Sequence, residues 1–484
     1  MLKFLSFLLT FFILNSFCFS ESYIVKLKNA HSYQEFVKYY KRESNLKNFA
    51  VNGVKIIPNR IHRFHFIKSN NSTIKSYSNN FSNTTDPMLG EQTWLQVVNG
   101  LKLIDISKGS GIIVGLLDSG VELDHEDLNG QFLKYYNVAE DSYDVSDGFG
   151  HGTSVAGIIG AIANNGVGIR GVAPDVKFVV AKINKGASPT FDDYSVAKGI
   201  YYLVDNGAKV INMSIEMSQS NQAIEDAISY AKEKGVILVA ATGNGGNDEE
   251  SYPASNSYVL GVGSVNNDFE KSSFSDYDNQ TFIFAPGEQV LTTYIGDSYL
   301  KQTGTSFSAP IVTGIIADLL SLNPYFSLDN IKEIILSHAY YDVTEKYKVV
   351  DLSDSAYGTG VYIQLNKTQF LYGDYLYLSL ILPPLSSNFD FYFGFIMPDN
   401  NVAVLHYNNG LYYTSLNSDY SPTWTFSKIE HYSSLTLYGD ANSVSTPLKL
   451  EGNIIYGTYK ACALYRKDNR IVGYVNCQEF NISK

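Results

Sequence analysis

Little in this chain invites a metal cluster, a membrane or a nucleic acid. Its 484 residues include only three cysteines and eight histidines, and no Cys/His group has the spacing of a zinc site. Beyond the first twenty residues no segment reaches roughly 18 uninterrupted apolar residues, the length a membrane span needs, so no stable membrane insertion is expected of the mature protein. Positive charge is scarce: 36 Lys+Arg stand against 48 Asp+Glu, for a formal net charge of −12. An acidic main body excludes nucleic acid as its partner. No G-x-S-x-G elbow occurs, which disfavours a lipase or esterase of the α/β-hydrolase type. The C-terminal part, from about residue 353, holds no internal repeat, no low-complexity tract and no motif that carries nameable chemistry.

What the chain does have is enough apolar material to fold. Hydrophobic residues make up 45% and charged residues 17%, a globular rather than a disordered composition, and the length calls for two or three domains. The opening MLKFLSFLLTFFILNSFCFS has a positive start at Lys3, an apolar run from Phe4 to Leu14, and small residues Cys18 and Ser20 at cleavage spacing. It reads as a secretory signal peptide over 1–20, so a secreted protein, extracellular, periplasmic or at the cell surface, is expected. With Cys18 removed, Cys462 and Cys477 remain in an exporting context, where a disulfide between them is expected. Residues 21–85 carry 11 Lys+Arg against 3 Glu, a basic segment suited to docking on the acidic body.

The texture of the pattern divides the rest. In 21–85, SYIVKLK alternates like a strand, YQEFVKYYKRESN has helical spacing, and FAVNGVKIIPNRIHRFHFIKS predicts two short strands around a turn at Pro58–Asn59. The polar KSYSNNFSNTTDP reads as an exposed linker. From about residue 110, apolar strands (IIVGLLDS, VKFVVAKI, KVINMS, VILVAAT, YVLGVGSV) alternate with helices (HGTSVAGIIGAI, DYSVAKGIYYLVDNG, NQAIEDAISYAKEKG, and a run beginning near Ser306). That alternation predicts an α/β fold whose mostly parallel sheet is covered on both faces. After about 352 the helices stop, and short alternating runs predict an all-β, sandwich-like C-terminal domain over 353–484.

Four polar residues fall at strand ends or helix starts within the α/β region. Asp118 closes the strand ending LLDSG, at the edge where active sites form in open α/β sheets. His151 opens a helix between two glycines in GHGTSVAG. Asn244 follows a strand in VAATGNGG, where a side-chain amide can donate to a developing oxyanion. Ser306 lies in GTSFSAP at the start of an apolar helix. Each has an ordinary reading as a cap, a turn or a structural histidine. Their order, Asp then His then Asn then Ser, is that of the subtilisin triad with its oxyanion residue. With DSG at 118–120, HGTSVAG at 151–157, GVAP at 171–174, NMS at 212–214, ATGNGG at 241–246, YPA at 252–254 and GTSFSAP at 304–310, residues 86–350 resemble the subtilisin-like serine protease family.

The resemblance implies a three-layer peptidase domain over 86–352 and a secreted serine endopeptidase acting on polypeptides. Ser306 would be the nucleophile, His151 the base, Asp118 its orienting acid, and Asn244 with the Ser306 N–H the oxyanion hole. It makes 21–85 a propeptide that folds and inhibits the enzyme, cut in the linker near Asn83–Asp86, and it leaves a monomer. Ser214, Ile215 and Glu216 would form one side of the substrate pocket as a strand edge, and Ser251 with Tyr252 the other wall. A glycine is usual where Glu216 stands, so its carboxylate could clash with bulky side chains, attract Lys and Arg, or turn to solvent. No cofactor is required for the chemistry, but Asp127 with Asn164 or Asn165 matches the position of a structural calcium site. The competing expectation is a degenerate, secreted binding or adhesion protein on the same scaffold; the presence of all four key residues weighs against it.

Overall fold

The computed structural model describes residues 22–43, 55–64, 67, 86–98, 108–322, 324, 326–342, 344 and 346–351, and the strands named below between 362 and 483. The signal segment 1–20 and the linker up to residue 85 lie outside them, while the linker's last two residues, Asp86 and Pro87, are described and Asp86 is buried rather than exposed. The N-terminal module contains β1 (Ser22–Lys26), α1 (Tyr33–Tyr39), β2 (Tyr40–Glu43), β3 (Lys55–Asn59) and β4 (Ile61–Arg63). Its antiparallel sheet has the order β2-β1-β3. Two expectations change here. The predicted helix stops at Tyr39, because Tyr40–Glu43 pair with β1, from Lys26↔Tyr40 to Tyr23↔Glu43; the ladder overrides helical spacing. Pro58 and Asn59 are not a turn but the end of β3, where Pro58 stands opposite Tyr23. Because β3 is an edge strand, a residue without an N–H is tolerated there.

The body begins with α2 (Thr93–Val97) and continues through β5 (Ile113–Asp118), β6 (Phe132–Asn137), α3 (His151–Gly160), β7 (Lys177–Lys182), β8 (Thr190–Asp192), α4 (Asp193–Asp205), β9 (Val210–Met213), α5 (Gln222–Glu233), β10 (Ile237–Ala241), β11 (Val259–Val265), β12 (Thr281–Pro286), β13 (Val290–Tyr294), β14 (Ser298–Gln302), α6 (Thr305–Leu322), α7 (Leu328–His338), β15 (Tyr340–Tyr341) and β16 (Lys348–Val349). Nine strands form one sheet in the order β15-β16-β12-β11-β10-β9-β5-β7-β6, parallel at every junction but β15–β16. Alternate strand residues face opposite cores, as the pleat requires. On β10, Ile237, Val239 and Ala241 pack with α3 and α6, whereas Leu238 and Ala240 pack with α4 and α5. The N-terminal module joins the second core through Ile24, Phe36, Tyr40 and Ile57.

This topology locates the site. β5 has β7 on one side and β9 on the other, so successive crossovers leave it in opposite directions, and a crevice opens at its C-terminal end. Asp118 is the last residue of β5. Helix α6 packs across β9, β10 and β11 with its N-terminus at the same edge. It is apolar on nearly all faces and correspondingly buried. Among the described residues it is the one helix long and apolar enough to cross a membrane, and 89% of that window is inside the protein. The sequence pattern missed β6, β12, the β13–β14 hairpin and α7. The strands among them are only five or six residues long, too short for a period to stand out.

Beyond 352 every described element is a strand: β17 (Tyr362–Leu365), β18 (Gln369–Leu371), β19 (Tyr375–Ile381), β20 (Asp390–Ile396), β21 (Val402–His406), β22 (Gly410–Tyr412), β23 (Ser443–Lys449), β24 (Gly457–Lys467) and β25 (Arg470–Ser483). They form a β17-β19-β23 sheet and a β18-β25-β24-β20-β21-β22 sheet. The predicted strand SLTLYG lies outside the described residues. Cys462 and Cys477 are direct partners in the β24–β25 ladder.

Candidate active site

Two short bonds organise the end of β5. The Asp118 carboxylate accepts from the Ser119 N–H through Oδ1 at 2.7 Å, and the same oxygen lies 2.7 Å from His151 Nδ1. A carboxylate only accepts, so Nδ1 carries the proton and Nε2 is the basic atom of the neutral ring. Burial works against charge on the imidazole, but the Asp118 carboxylate overcomes it, and the ring is held above its ordinary pKa. Gly152 permits this approach, since a Cβ there would press into the Gly120 carbonyl and lie 3.1 Å from the Asp118 Cβ.

Sequence reading missed the residue that anchors His151. Asp147, buried, accepts from Gly150 N–H (2.8 Å), Phe149 N–H (3.2 Å) and Ser119 Oγ (2.8 Å) through Oδ1, and from Thr153 N–H and Oγ1 (both 2.8 Å) through Oδ2. These bonds satisfy donors at the start of α3 and place a negative charge at its N-terminus. The only signal was an aspartate four residues before the histidine. Lys182, opposite Asp118 in the β5–β7 register, is also buried and donates to the Ser119 carbonyl, to Asn184 Oδ1 (2.9 Å) and to the Gly186 carbonyl (2.8 Å). Burial lowers its pKa.

Ser306 is the second residue of α6 and is 3% exposed. Its neighbour Phe307 brings a ring to 5.6 Å from that of His151. Pro310, inside the helix, has no N–H for the carbonyl four residues earlier, which is that of Ser306. Ser214 replaces it: its Oγ donates to the Ser306 carbonyl at 2.7 Å, while Ser306 Oγ lies 3.4 Å from the Ser214 carbonyl. Ser214 Oγ in turn accepts from Asn212 Nδ2 at 2.9 Å. Asn244 is fixed from the same helix. Its Oδ1 accepts from the Thr305 N–H at 2.9 Å and from Thr305 Oγ1 at 3.1 Å. Because a backbone N–H must donate, the amide is oriented with Nδ2 as its other face.

Ser214, Ile215 and Glu216 follow β9 beyond its last ladder pair, at Met213. Met217 then pairs with Tyr252 in both directions, at 2.7 and 2.8 Å, so the two predicted pocket walls are hydrogen-bonded to one another just beyond Glu216. Glu216 is half-buried, and its Oε2 accepts from the Asn244 N–H at 2.9 Å.

The predicted cation position has a different donor set from the one expected. Asp127 Oδ1 accepts from Asn165 Nδ2 and Oδ2 from the Ile169 N–H, both at 2.8 Å, and Asn165 Oδ1 accepts from the Val167 N–H. Burial pushes the Asp127 carboxyl up to about 7. Nearby Asp86 is fully buried and also raised by burial; it leans on the backbone N–H groups of Asn164 and Asn165 and on Arg170. No hydrogen bond of ordinary geometry reaches either of its oxygens among the described residues. Asp86, short of donors, beside Asp127, whose two oxygens each accept one bond, offers the carboxylate oxygens that a hard cation takes. By contrast the group Glu122, His125 and Asp297 is internally satisfied: His125 Nδ1 accepts from the Asp127 N–H, leaving Nε2 to donate to the Ser298 carbonyl.

The N-terminal module reaches this site. Four of its bases meet acids of the body: Lys26–Asp226 at 2.6 Å, Arg42–Asp192 at 2.9 Å, Arg60–Asp193 at 3.4 Å and His62–Asp193 at 2.6 Å. β4 pairs antiparallel with β8, and the Phe64 N–H donates to the Pro189 carbonyl at 2.8 Å. The Phe64 ring sits 5.3 Å from the His151 ring. Ile67 then forms an antiparallel bridge with Thr303, its N–H donating at 3.1 Å, three residues before Ser306.

The chain is similar to known proteins in sequence and in fold. The sequence model described as "Subtilase family" matches residues 109–360. The chain is 33% identical to the thermophilic serine proteinase of Bacillus sp. (strain AK1), over 54% of this chain and 62% of that protein. It is 37% identical to thermitase of Thermoactinomyces vulgaris, over 45% of this chain and 77% of that one, and 38% identical to subtilisin Savinase of Lederbergia lenta, over 45% and 80%. Thus the chain spans less than two thirds of the Bacillus protein and more of the other two. Among solved structures, proteases from Pseudoalteromonas arctica align with a TM-score of 0.52 at 27% identity, over 56% of this chain and 97% of that one.

Proposed function

This chain belongs to the subtilase family of serine-type endopeptidases, and we propose that Asp118, His151 and Ser306 are its catalytic triad. The observation that carries this reading is the 2.7 Å Asp118–His151 bond at the edge where α6 presents Ser306. In the reaction, Ser306 Oγ bonds to the carbonyl carbon of a peptide as His151 Nε2 takes its proton. Asn244 Nδ2 and the Ser306 N–H hold the oxygen that becomes negative. His151 returns the proton to the departing amine, and water, activated by the same ring, releases the acyl group from Ser306. Asp118 fixes the tautomer and stabilises the imidazolium throughout. The test is labelling by a fluorophosphonate probe together with hydrolysis of an unstructured protein. Both are expected of the wild type, and Ser306→Ala should lose labelling and on the order of 10⁶ in kcat. Labelling that survives in Ser306→Ala would overturn the assignment.

The same reading makes residues 21–85 an inhibitory propeptide of a secreted, monomeric zymogen. It is supported by the base-to-acid ion pairs and by the Phe64–His151 contact. It moves the first cut from the linker near Asn83–Asp86 to the bonds between Phe64 and Ile67, whose flanks are anchored on β8 and beside Ser306. A calcium ion held by Asp86 and Asp127 would neutralise two buried carboxylates and tie the segment at 86 to the 163–171 loop. A Cys462–Cys477 disulfide fits their pairing in the β24–β25 ladder.

A further inference from the structure

We propose that Glu216 and Asp276 are positioning residues for the oxyanion amide of Asn244, an inference that rests on the serine-protease reading above. The loop after β10 presents a run of backbone N–H groups, and carboxylates claim most of them. Asn244 N–H donates to Glu216 Oε2 at 2.9 Å. Gly245 N–H donates to Asp276 Oδ2 and Asn247 N–H to Asp276 Oδ1, each at 2.9 Å. Gly246 N–H is taken by the Phe274 carbonyl at 2.8 Å, and the Asp276 N–H returns a bond to the Gly243 carbonyl at 3.0 Å. Hydrogen bonds to ionised acceptors are roughly twice as strong as neutral ones, and Asp276 is 8% exposed, so little water competes.

Gly243 makes room for both acids. Its φ is +109°, and a Cβ there would stand 2.5 Å from Asp276 Oδ2 and 2.7 Å from Glu216 Oε2. The two side chains therefore close on the backbone from the same face, immediately before Asn244. From the other side α6 holds the Asn244 side chain through Oδ1. Backbone and side chain are thus fixed independently, Glu216 setting the first and the Thr305 N–H the second. Oxyanion stabilisation depends on a donor that is already in place when charge develops. Glu216 contributes by holding the donor there, not by touching the substrate.

This role differs measurably from that of a pocket carboxylate. The experiment compares wild type, Glu216→Gly and Glu216→Gln, each with and without Asn244→Ala, on peptides with Phe, Lys or Arg before the cut bond, in protein whose active sites have been counted by fluorophosphonate. Glu216→Gly is expected to lower kcat about 10-fold, part of the roughly 10²–10³ lost with the donor itself. KM should change little, and the loss should be equal for the three peptides. Glu216→Gln keeps an acceptor oxygen on the same stem and should recover most of the loss. In the Asn244→Ala background Glu216→Gly should have almost no further effect, since residues acting as one unit are non-additive. An equal loss in that background would overturn the proposal, and so would a change confined to KM for the Lys and Arg peptides. Wild type that the probe fails to label would instead refute the serine-protease reading itself.

Discussion

The carbonyl of Ser306 depends on a single hydroxyl from outside its helix. Pro310 denies that carbonyl its helical partner, and Ser214 Oγ supplies one at 2.7 Å, with both residues almost fully buried. Ser214→Ala leaves the carbonyl without a donor, a cost of about 1–3 kcal/mol for a buried polar group, and also removes the acceptor for Asn212 Nδ2. For a domain of this size 1 kcal/mol corresponds to about 2–4 °C in Tm, so a drop of roughly 2–12 °C is expected. The measurement belongs in a Ser306→Ala background, which keeps the carbonyl and prevents self-digestion. Pro310→Ala restores an N–H four residues on. In that background the loss from Ser214→Ala should shrink, with a coupling of about 1 kcal/mol, the Asn212 share persisting. Equal losses with and without Pro310, within about 0.3–0.5 kcal/mol, would refute the claim that Ser214 stands in for the missing helical bond.

Other consequences follow from the same geometry. His151 must be neutral to accept a proton, and its pKa is raised, so kcat/KM should rise with pH through a limb above the ordinary histidine value of about 6.5. Asp118→Asn removes the charge that outweighs burial; the limb should move to lower pH and kcat should fall about 10⁴-fold. A wild-type limb at or below the ordinary value would contradict the electrostatic account. At the cation position, chelation should lower the Tm of the wild type and leave that of Asp86→Asn/Asp127→Asn unchanged; no response of the wild type to chelation or to added calcium would rule the site out.

Much of the central fold was legible because its predicted strands are apolar runs and its predicted helices are apolar or amphipathic over two or more turns. Asp118, His151, Asn244 and Ser306 were legible because each sits in a short motif whose glycines record close backbone approach, as Gly152 does beside Asp118. What escaped notice acts through side-chain bonds and strand pairings, near and far in sequence, that periodicity does not record. Asp147 is four residues from His151 but acts by folding back on the start of α3. Asp86 lies 41 positions before Asp127, and its burial is set by packing. The strand at Tyr40–Glu43 depends on a partner that local pattern does not contain. Glu216 was visible as an odd residue, but not its bond to Asn244, which lies 28 positions away.

The most direct test expresses the full chain and its Ser306→Ala variant side by side and reads the first products by mass and by N-terminal sequence. The account predicts that wild type releases its N-terminal module through a first cut between Phe64 and Ile67, while Ser306→Ala stays uncut at that point. A wild-type chain that remains intact there and fails to react with a fluorophosphonate, or a variant that is cut as readily as wild type, would contradict it.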